Sequence, residues 1–455
     1  MRCRYLFRGA LSALALATFL FCGNVNAAPV LAFPGDLGLR HDLLLLRDSG
    51  RLNMPVSSWP IPYSAIGEGY TPSKSSAQEP WLSAQARMLA RVQQAQAPGF
   101  SASLGMTLAA EPQTFRGFQD TPREHGGVTA EAGWTSPRYA VRAQAQGVRQ
   151  ADGDNWDARF DNSYGALSAG NWLIAAGTVP QWWGPGWDGS LILSNNARPV
   201  PAVILQRQTA QAFEWPILEW LGPWSFVAFA GQLENDRYVP EAKLLGARLT
   251  LVPTERLEIG LSRTAQWGGE GRPESLRSLI DLAIGRSNAG DSDYSRDDQP
   301  GNQLAGYDIR WRSPLVGDFP YAIYAQAIGE DEAGGWPYQF VWLGGIETWG
   351  FAHNGSYRVY FEAADTAIDL FVRSEQRFNT AYEHSAYRSG YRYRGQSLGH
   401  GIDNDSRLFT LGTFWAPTRA ILAFPCPICR AQSRRAGSAG SRGASPLARS
   451  ANRCD

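Results

Sequence analysis

From residue 100 onward, apolar and polar positions alternate with a period of two, as in strands that have one apolar face and one polar face. The clearest pair is 244–262. Leu245, Ala247, Leu249 and Leu251 alternate with Gly246, Arg248 and Thr250; after Pro253-Thr254-Glu255, Leu257, Ile259 and Leu261 alternate with Glu258, Gly260 and Ser262. The same dyad recurs at 139–146, 307–312 and 357–363, where Arg142, Gln144, Asp308, Arg310, Arg358 and Glu362 hold the polar phase. Strands are expected at 100–110, 127–134, 138–150, 157–168, 171–178, 203–213, 224–232, 243–252, 257–265, 303–312, 320–329, 337–347, 356–363 and 406–416. A soluble sandwich alternates in the same way, so the pattern alone leaves two architectures open.

The connections separate them. Every second linker is short, such as Thr135-Ser136-Pro137, Ala169-Gly170 and Pro253 to Arg256. The others tend to be long (111–126, 179–202, 233–242, 266–302 and 364–405), with 151–156 and 330–336 as brief exceptions. Tight turns on one side and long loops on the other are the mark of an outer-membrane barrel, with the turns periplasmic and the loops extracellular. The fold class predicted is therefore all-β: a transmembrane antiparallel β-barrel of fourteen strands, over residues 100–425, with a fifteenth strand beginning at Ala420.

Residues 28–99 follow another period. Asp36 to Ser49 reads as a helix stopped by Gly50, Trp59-Pro60-Ile61-Pro62-Tyr63 as a turn-rich piece, and Pro80 to Gln93 as a second helix ended by Pro98-Gly99. This predicts a small periplasmic helical segment ahead of the sheet. Residues 1–27 precede it as a cleaved export signal: Arg2, Arg4 and Arg8, an apolar run from Ala10 to Cys22, then Val25-Asn26-Ala27.

Composition narrows the picture further. No later run of 18 apolar residues exists, which excludes a helical membrane protein. The 48 glycines and 12% aromatic content favour one large β structure over several soluble domains. Formal net charge is zero, so nothing suggests a nucleic-acid partner. No cysteine occurs between Ala28 and Pro425, so the exported body uses no disulfides. Cys426, Cys429 and Cys454 lie in 426–455, an Arg/Ser/Gly/Ala-rich stretch without aromatics that is read as a disordered, frameshifted tail replacing about three strands.

Residues 171–202 carry the candidate chemistry. Trp182, Trp183 and Trp187 surround Gly184-Pro185-Gly186, a sequence that suits neither helix nor ladder. Flat indoles on a rigid extracellular loop would stack on sugar rings, although interface anchoring or loop packing uses the same residues. Asp236, Arg237, Tyr238, Arg263, Trp267 and Arg272 fall at the same end, where arginines either clasp uronate carboxylates or pair with lumenal acids such as Glu258 or Glu270.

Several runs resemble the capsule-assembly Wzi family. They are Gln181-Trp182-Trp183-Gly184-Pro185-Gly186, Leu193-Ser194-Asn195-Asn196-Ala197-Arg198-Pro199, Asp236-Arg237-Tyr238, Leu245 to Leu249, Gly260 to Arg263, Trp267 to Pro273, and Tyr391 to Gly395 with Gly399-His400 and Asp403 to Asp405. The resemblance spans roughly 30–420. It implies an eighteen-stranded outer-membrane barrel with a periplasmic helical bundle and plugging loops, of which about 14–15 strands are present here. It also implies a surface lectin, without enzymatic activity or cofactor, that attaches capsular or exopolysaccharide to the cell. Outer-membrane lipid and the barrel-assembly machinery are the further partners expected. A channel for glycans or small solutes is the alternative. An esterase using His400, Asp403, Asp405 and Ser406 is disfavoured, because Asp403 and Asp405 lie among glycine and asparagine in a solvated loop and there is no nucleophile elbow. Asp291, Asp293, Asp297 and Asp298 lack the glycine and closing glutamate of a calcium loop, and Cys426-Pro427-Ile428-Cys429 has no second pair for zinc.

Overall fold

The computed structural model describes residues 28–72, 81–149, 156–283, 301–314, 319–330, 339–352, 355–369 and 376–417. The export signal, Pro80, the Asp291–Asp298 group, the fifteenth strand and the tail lie outside the described residues.

One antiparallel sheet dominates, and its strands neighbour one another in chain order. We number its long strands β1 (Gly99–Leu108), β2 (Gly126–Thr135), β3 (Tyr139–Arg149), β4 (Tyr164–Ala169), β5 (Trp172–Thr178), β6 (Pro201–Arg207) and β7 (Trp224–Gln232). There follow β8 (Lys243–Thr254), β9 (Leu257–Trp267), β10 (Gly301–Arg312), β11 (Tyr321–Glu330), β12 (Gln339–Ala352), β13 (Gly355–Asp369) and β14 (Arg407–Pro417). These are the fourteen strands expected. Four differ in extent by more than two residues: 157–168 divides into Trp156–Arg159 and β4, the strand expected to run to 213 stops at Arg207, and those expected to end at 347 and 363 continue to Ala352 and Asp369. Asp161-Asn162 breaks the first of these, with Asn162 in the left-handed region at φ 64°. Among the described residues no strand joins β1 to β14.

Register turns the two faces of the sheet into an inverted protein. Leu249 pairs with Leu261 and Arg248 with Ser262, so each rung presents one phase outward and the other inward. Outward lie Leu261, Tyr307, Ile309, Ile346, Phe361 and Leu411, all exposed, whereas Arg248, Glu258, Asp308, Arg310, Glu347 and Arg358 are buried. In water this arrangement would be unstable; in lipid it is the expected one, because acyl chains cover the apolar face and a closed interior satisfies the charges.

Three helices precede or flank this wall: α1 (Leu37–Asp48), α2 (Tyr63–Gly69) and α3 (Leu82–Gln96). The Asp36 side chain caps α1 by accepting from Leu39 N–H at 2.8 Å, and Gly50 follows its end at φ 74°. Helix α2 was not expected; it starts at Tyr63, where the turn-rich piece ends. Pro62 fixes the entry in extended geometry, and Ser64, Ala65 and Ile66 supply a short buried face that a periodicity window of helical length does not register. A further helix, α4 (Leu276–Ala283), interrupts the loop after β9.

Candidate functional site

Helix α1 does not lie beneath the sheet as a separate layer. Gly38 to Asp48 are all buried, and Arg47 and Asp48 bond to inward side chains of β9, β10 and β13. Asp48 Oδ1 and Oδ2 each accept from Arg310 at 2.8 Å, and Arg358 reaches Oδ2 at 3.3 Å. Arg310 and Arg358 also hold Glu347, at 2.6 and 3.0 Å. Arg47 pairs with Glu258 at 2.8 Å, while the other oxygen of Glu258 accepts from Val56 and Ser57 N–H. Arg248, Asp308 and Ser57 continue the network. Such ions forfeit several kcal/mol of hydration each, a cost that the pairing of each guanidinium with a carboxylate offsets. Helix α3 then docks on α1 through a bidentate Arg87–Asp42 pair at 2.9 and 2.6 Å.

The segment 179–200 enters from the opposite, long-loop end. Trp182-Trp183 pairs with Ser58-Trp59 as a two-stranded ladder inside the barrel. Trp187 donates from Nε1 to Glu347 at 2.9 Å and from its backbone N–H to Glu362 at 2.7 Å; Leu191 N–H donates to Gln326 at 2.7 Å. Arg40 of α1 closes the junction. It donates to the carbonyls of Pro185 (2.7 Å) and Gly186 (2.8 Å), with its guanidinium over the rings of Phe118 (4.3 Å) and Trp187 (4.2 Å). The expected surface of indoles is thereby corrected: Trp182 and Trp183 are 0% exposed and Trp187 is 2%. Glycine-rich backbone let the loop fold inward; the indoles of Trp182 and Trp183 donate within the loop, to the Gly184 carbonyl and to Gln181, and that of Trp187 donates to Glu347 on the wall.

The other candidates form a crown at the long-loop end. Arg237 donates to the carbonyls of Arg392 (3.0 Å) and Gly390 (3.3 Å), and Arg272 to that of Ala386 (3.3 Å). Arg263 donates to Gln303 and to the carbonyls of Ala283 and Leu282. The expected pairing with carboxylates holds for Arg237, which meets Glu234 at 3.4 Å; Glu258 instead serves Arg47, and Arg263 and Arg272 donate to loop carbonyls. Trp267 is half-buried and donates to Ser278 at 3.2 Å. Asp236 is exposed, and Tyr238, 53% exposed with Arg388 4.8 Å above its ring, is the one aromatic of the set that presents a surface.

His400 is fully buried, its Nδ1 accepting from Ile402 N–H, and it packs so closely on Gly189 that any side chain there would overlap the imidazole. Asp403 is engaged by Arg392 at 2.8 and 3.0 Å. Burial pushes His400 and His384 down from the ordinary 6.5 to about 4, so both are neutral when folded. The unfolded segment takes up protons near 6.5 and the folded one only near 4. Stability of the crown is therefore complete above pH 6.5 and falls as pH drops toward 4. Hydrogen-exchange protection across 380–403, taken relative to the intrinsic rate at each pH, is expected to fall between pH 6.5 and 4.5, and to fall less in a His384→Gln, His400→Gln protein; an equal fall in both refutes the assignment.

Sequence reasoning missed Arg40, Asp48 and Phe33. A signal existed: α1 carries Arg40, His41, Asp42, Arg47 and Asp48 around its whole circumference, which is not how a helix with one solvated face is built. It also missed a cavity of about 1030 Å³ between α1, α3 and the inner faces of β1–β4.

A barrel inverted in this way, with its lumen filled by an N-terminal plug and an infolded loop, is an outer-membrane protein of the plugged class. Residues 98–418 match the family model for the capsule assembly protein Wzi, and the chain belongs to the Wzi family. It resembles Wzi of Escherichia coli, an outer membrane protein involved in group 1 capsule assembly and a carbohydrate-binding β-barrel. The identity is 30% and the TM-score 0.72, over 86% of this chain and 82% of that one. It is also 36% identical over 346 residues to a 55.8 kDa protein of the cps region of Klebsiella pneumoniae, covering 74% of this chain and 65%, just under two thirds, of that relative. The barrel architecture and the outer-membrane location follow.

Proposed function

We propose that this protein is a non-catalytic, lectin-like barrel that binds capsular or exopolysaccharide at its long-loop end, facing outward, and holds it on the cell. The observation that carries the reading is the lumen itself. Asp48, Arg310, Glu347 and Arg358 are sealed together, and Arg40 ties the plug to the infolded loop, so the interior is spent on rigidity and the crown and its margins are left to meet a ligand. Family membership and a carbohydrate-binding relative support the same reading. Outer-membrane lipid and the barrel-assembly machinery are its further proposed partners. Deleting the gene is expected to move surface polysaccharide from the cell-bound to the shed fraction, and restoring it to reverse the shift; an unchanged ratio refutes the reading.

A further inference from the structure

At the short-turn end, β2 joins β3 through 136–138 and β8 joins β9 through 255–256, whereas β6 joins β7 through 208–223. This long connection is apolar where it meets solvent: Trp215, Ile217 and Trp220 are 64%, 69% and 68% exposed. It contains no Lys or Arg, and Glu214 and Glu219 are its only charged residues. Single exposed apolar side chains need no explanation, but three in so short a stretch mark a surface made to be covered.

What covers it follows from the side of the sheet on which it lies. Arg207 ends β6 in the outward phase of Val203 and Leu205, and Trp224 opens β7 in that of Phe226 and Ala228. The Arg207 guanidinium lies 3.7 Å above the Trp224 ring, and the Phe213 ring stacks on Trp224 at 4.5 Å. Arg207 also donates to the carbonyls of Gln211 (2.8 Å) and Trp224 (2.9 Å), which pins the first half of the connection to the outer face. The second half returns through a 3₁₀ turn, Glu219–Leu221, that packs on β8. There Leu251 pairs with Trp224 and holds the outward phase of Ala247 and Leu249, yet it is only 8% exposed. The connection therefore lies against the outside of the wall instead of hanging free below it. Its root is braced as well: Ser64 of α2 donates to the Gln208 carbonyl at 2.9 Å, and Gln211 donates to Glu68 at 3.1 Å.

The outside of the wall is the surface that acyl chains cover. Trp215, Ile217 and Trp220 continue it past the last rung of β6 and β7, at the level where indoles sit between hydrocarbon and headgroups. With two carboxylates and no cation, the connection has no attraction for anionic headgroups, so zwitterionic phospholipid is the lipid it suits. We propose that 208–223 is a membrane foot, an interfacial anchor that seats Trp215, Ile217 and Trp220 in the periplasmic leaflet of the outer membrane.

The test uses the purified mature protein in phosphatidylcholine vesicles, with the three cysteines of the tail replaced by serine and a nitroxide on Ile217→Cys. Glu255→Cys, in the tight turn from β8 to β9, gives the aqueous reference, and heat-modifiable migration is the folding control. Depth is read from the competition of oxygen and a water-soluble nickel chelate as relaxants. The label at 217 is expected about 5–10 Å into the headgroup–acyl boundary, and the label at 255 in water. Adding Trp215→Ser and Trp220→Ser is expected to shift the 217 label toward water with migration unchanged. Trp220→Cys carries the label if Ile217→Cys does not fold. A label at 217 as open to the chelate as the one at 255 overturns the foot. A label shielded from both relaxants means that a second copy of the chain covers the patch, which overturns it too. A label that keeps its depth without the two indoles shows that the backbone path alone sets it, and overturns the anchoring role.

Discussion

Replacing Asp48 with alanine is expected to lower the stability of the folded barrel by about 3–5 kcal/mol, the cost of leaving buried charges without a partner. Asp48 is the last residue of α1 and joins Arg310 of β10 to Arg358 of β13. Both its carboxylate oxygens accept from Arg310, Arg358 approaches one of them, and Arg312 donates to its backbone carbonyl. Without it, Glu347 alone faces two guanidiniums that are at most 4% exposed. Those guanidiniums cannot reach water without moving the plug, so the plug loosens. Asp48→Asn keeps the shape and one acceptor but not the charge, and should fall between wild type and alanine. The measurement is the temperature at which the heat-modifiable band is lost, together with protease access to residues 28–72. Unchanged melting and protection in the alanine protein would show that the network latches nothing.

The second large effect is at Trp182, where alanine is expected to cost about 3–5 kcal/mol through the cavity it leaves. Its indole meets Phe118 at 5.3 Å, edge to face, and Phe118 meets Trp59 at 5.1 Å in the same manner. The backbone of Trp182 pairs with Trp59, so this aromatic file joins the infolded loop to the plug. Trp182→Phe should recover much of the stability. Polysaccharide retention should follow melting temperature across the series, and iodide should not reach the Trp182 indole. If retention vanished in an alanine protein with wild-type melting, the indole would be touching sugar, and its burial would have to open on binding.

The strands were legible because a barrel wall repeats one simple rule. Leu249 and Leu261 must face lipid, Arg248 and Glu258 must not, and a period of two follows whatever the neighbours are. Linker lengths were legible for a related reason: tight turns and long loops must alternate when successive strands run in opposite directions. The capping of α1 by Asp36 and its stop at Gly50 are local events, settled within one helical turn.

The site was read less well. Trp182, Trp183 and Trp187 look like ligand-binding indoles in a glycine- and proline-rich loop, yet their partners are Phe118, Phe229, Glu347 and Tyr360, remote in the chain. Arg237, Arg263 and Arg272 look like anion clasps, yet all three bond loop carbonyls, and Arg237 pairs with Glu234 as well. A side chain's type states what it can bond, not whether the chain has already supplied the partner.

By itself, then, the sequence determined which residues face lipid, how many strands cross the described wall, where α1 begins and ends, and which family the chain resembles. These depend on neighbours within a few residues or on the repetition of one rule. Only the tertiary structure decided that α1 and the tryptophan loop meet inside the lumen. That meeting joins Arg40 to Pro185 and Asp48 to Arg310, contacts between residues more than a hundred positions apart, and their energy depends on burial that no local pattern encodes.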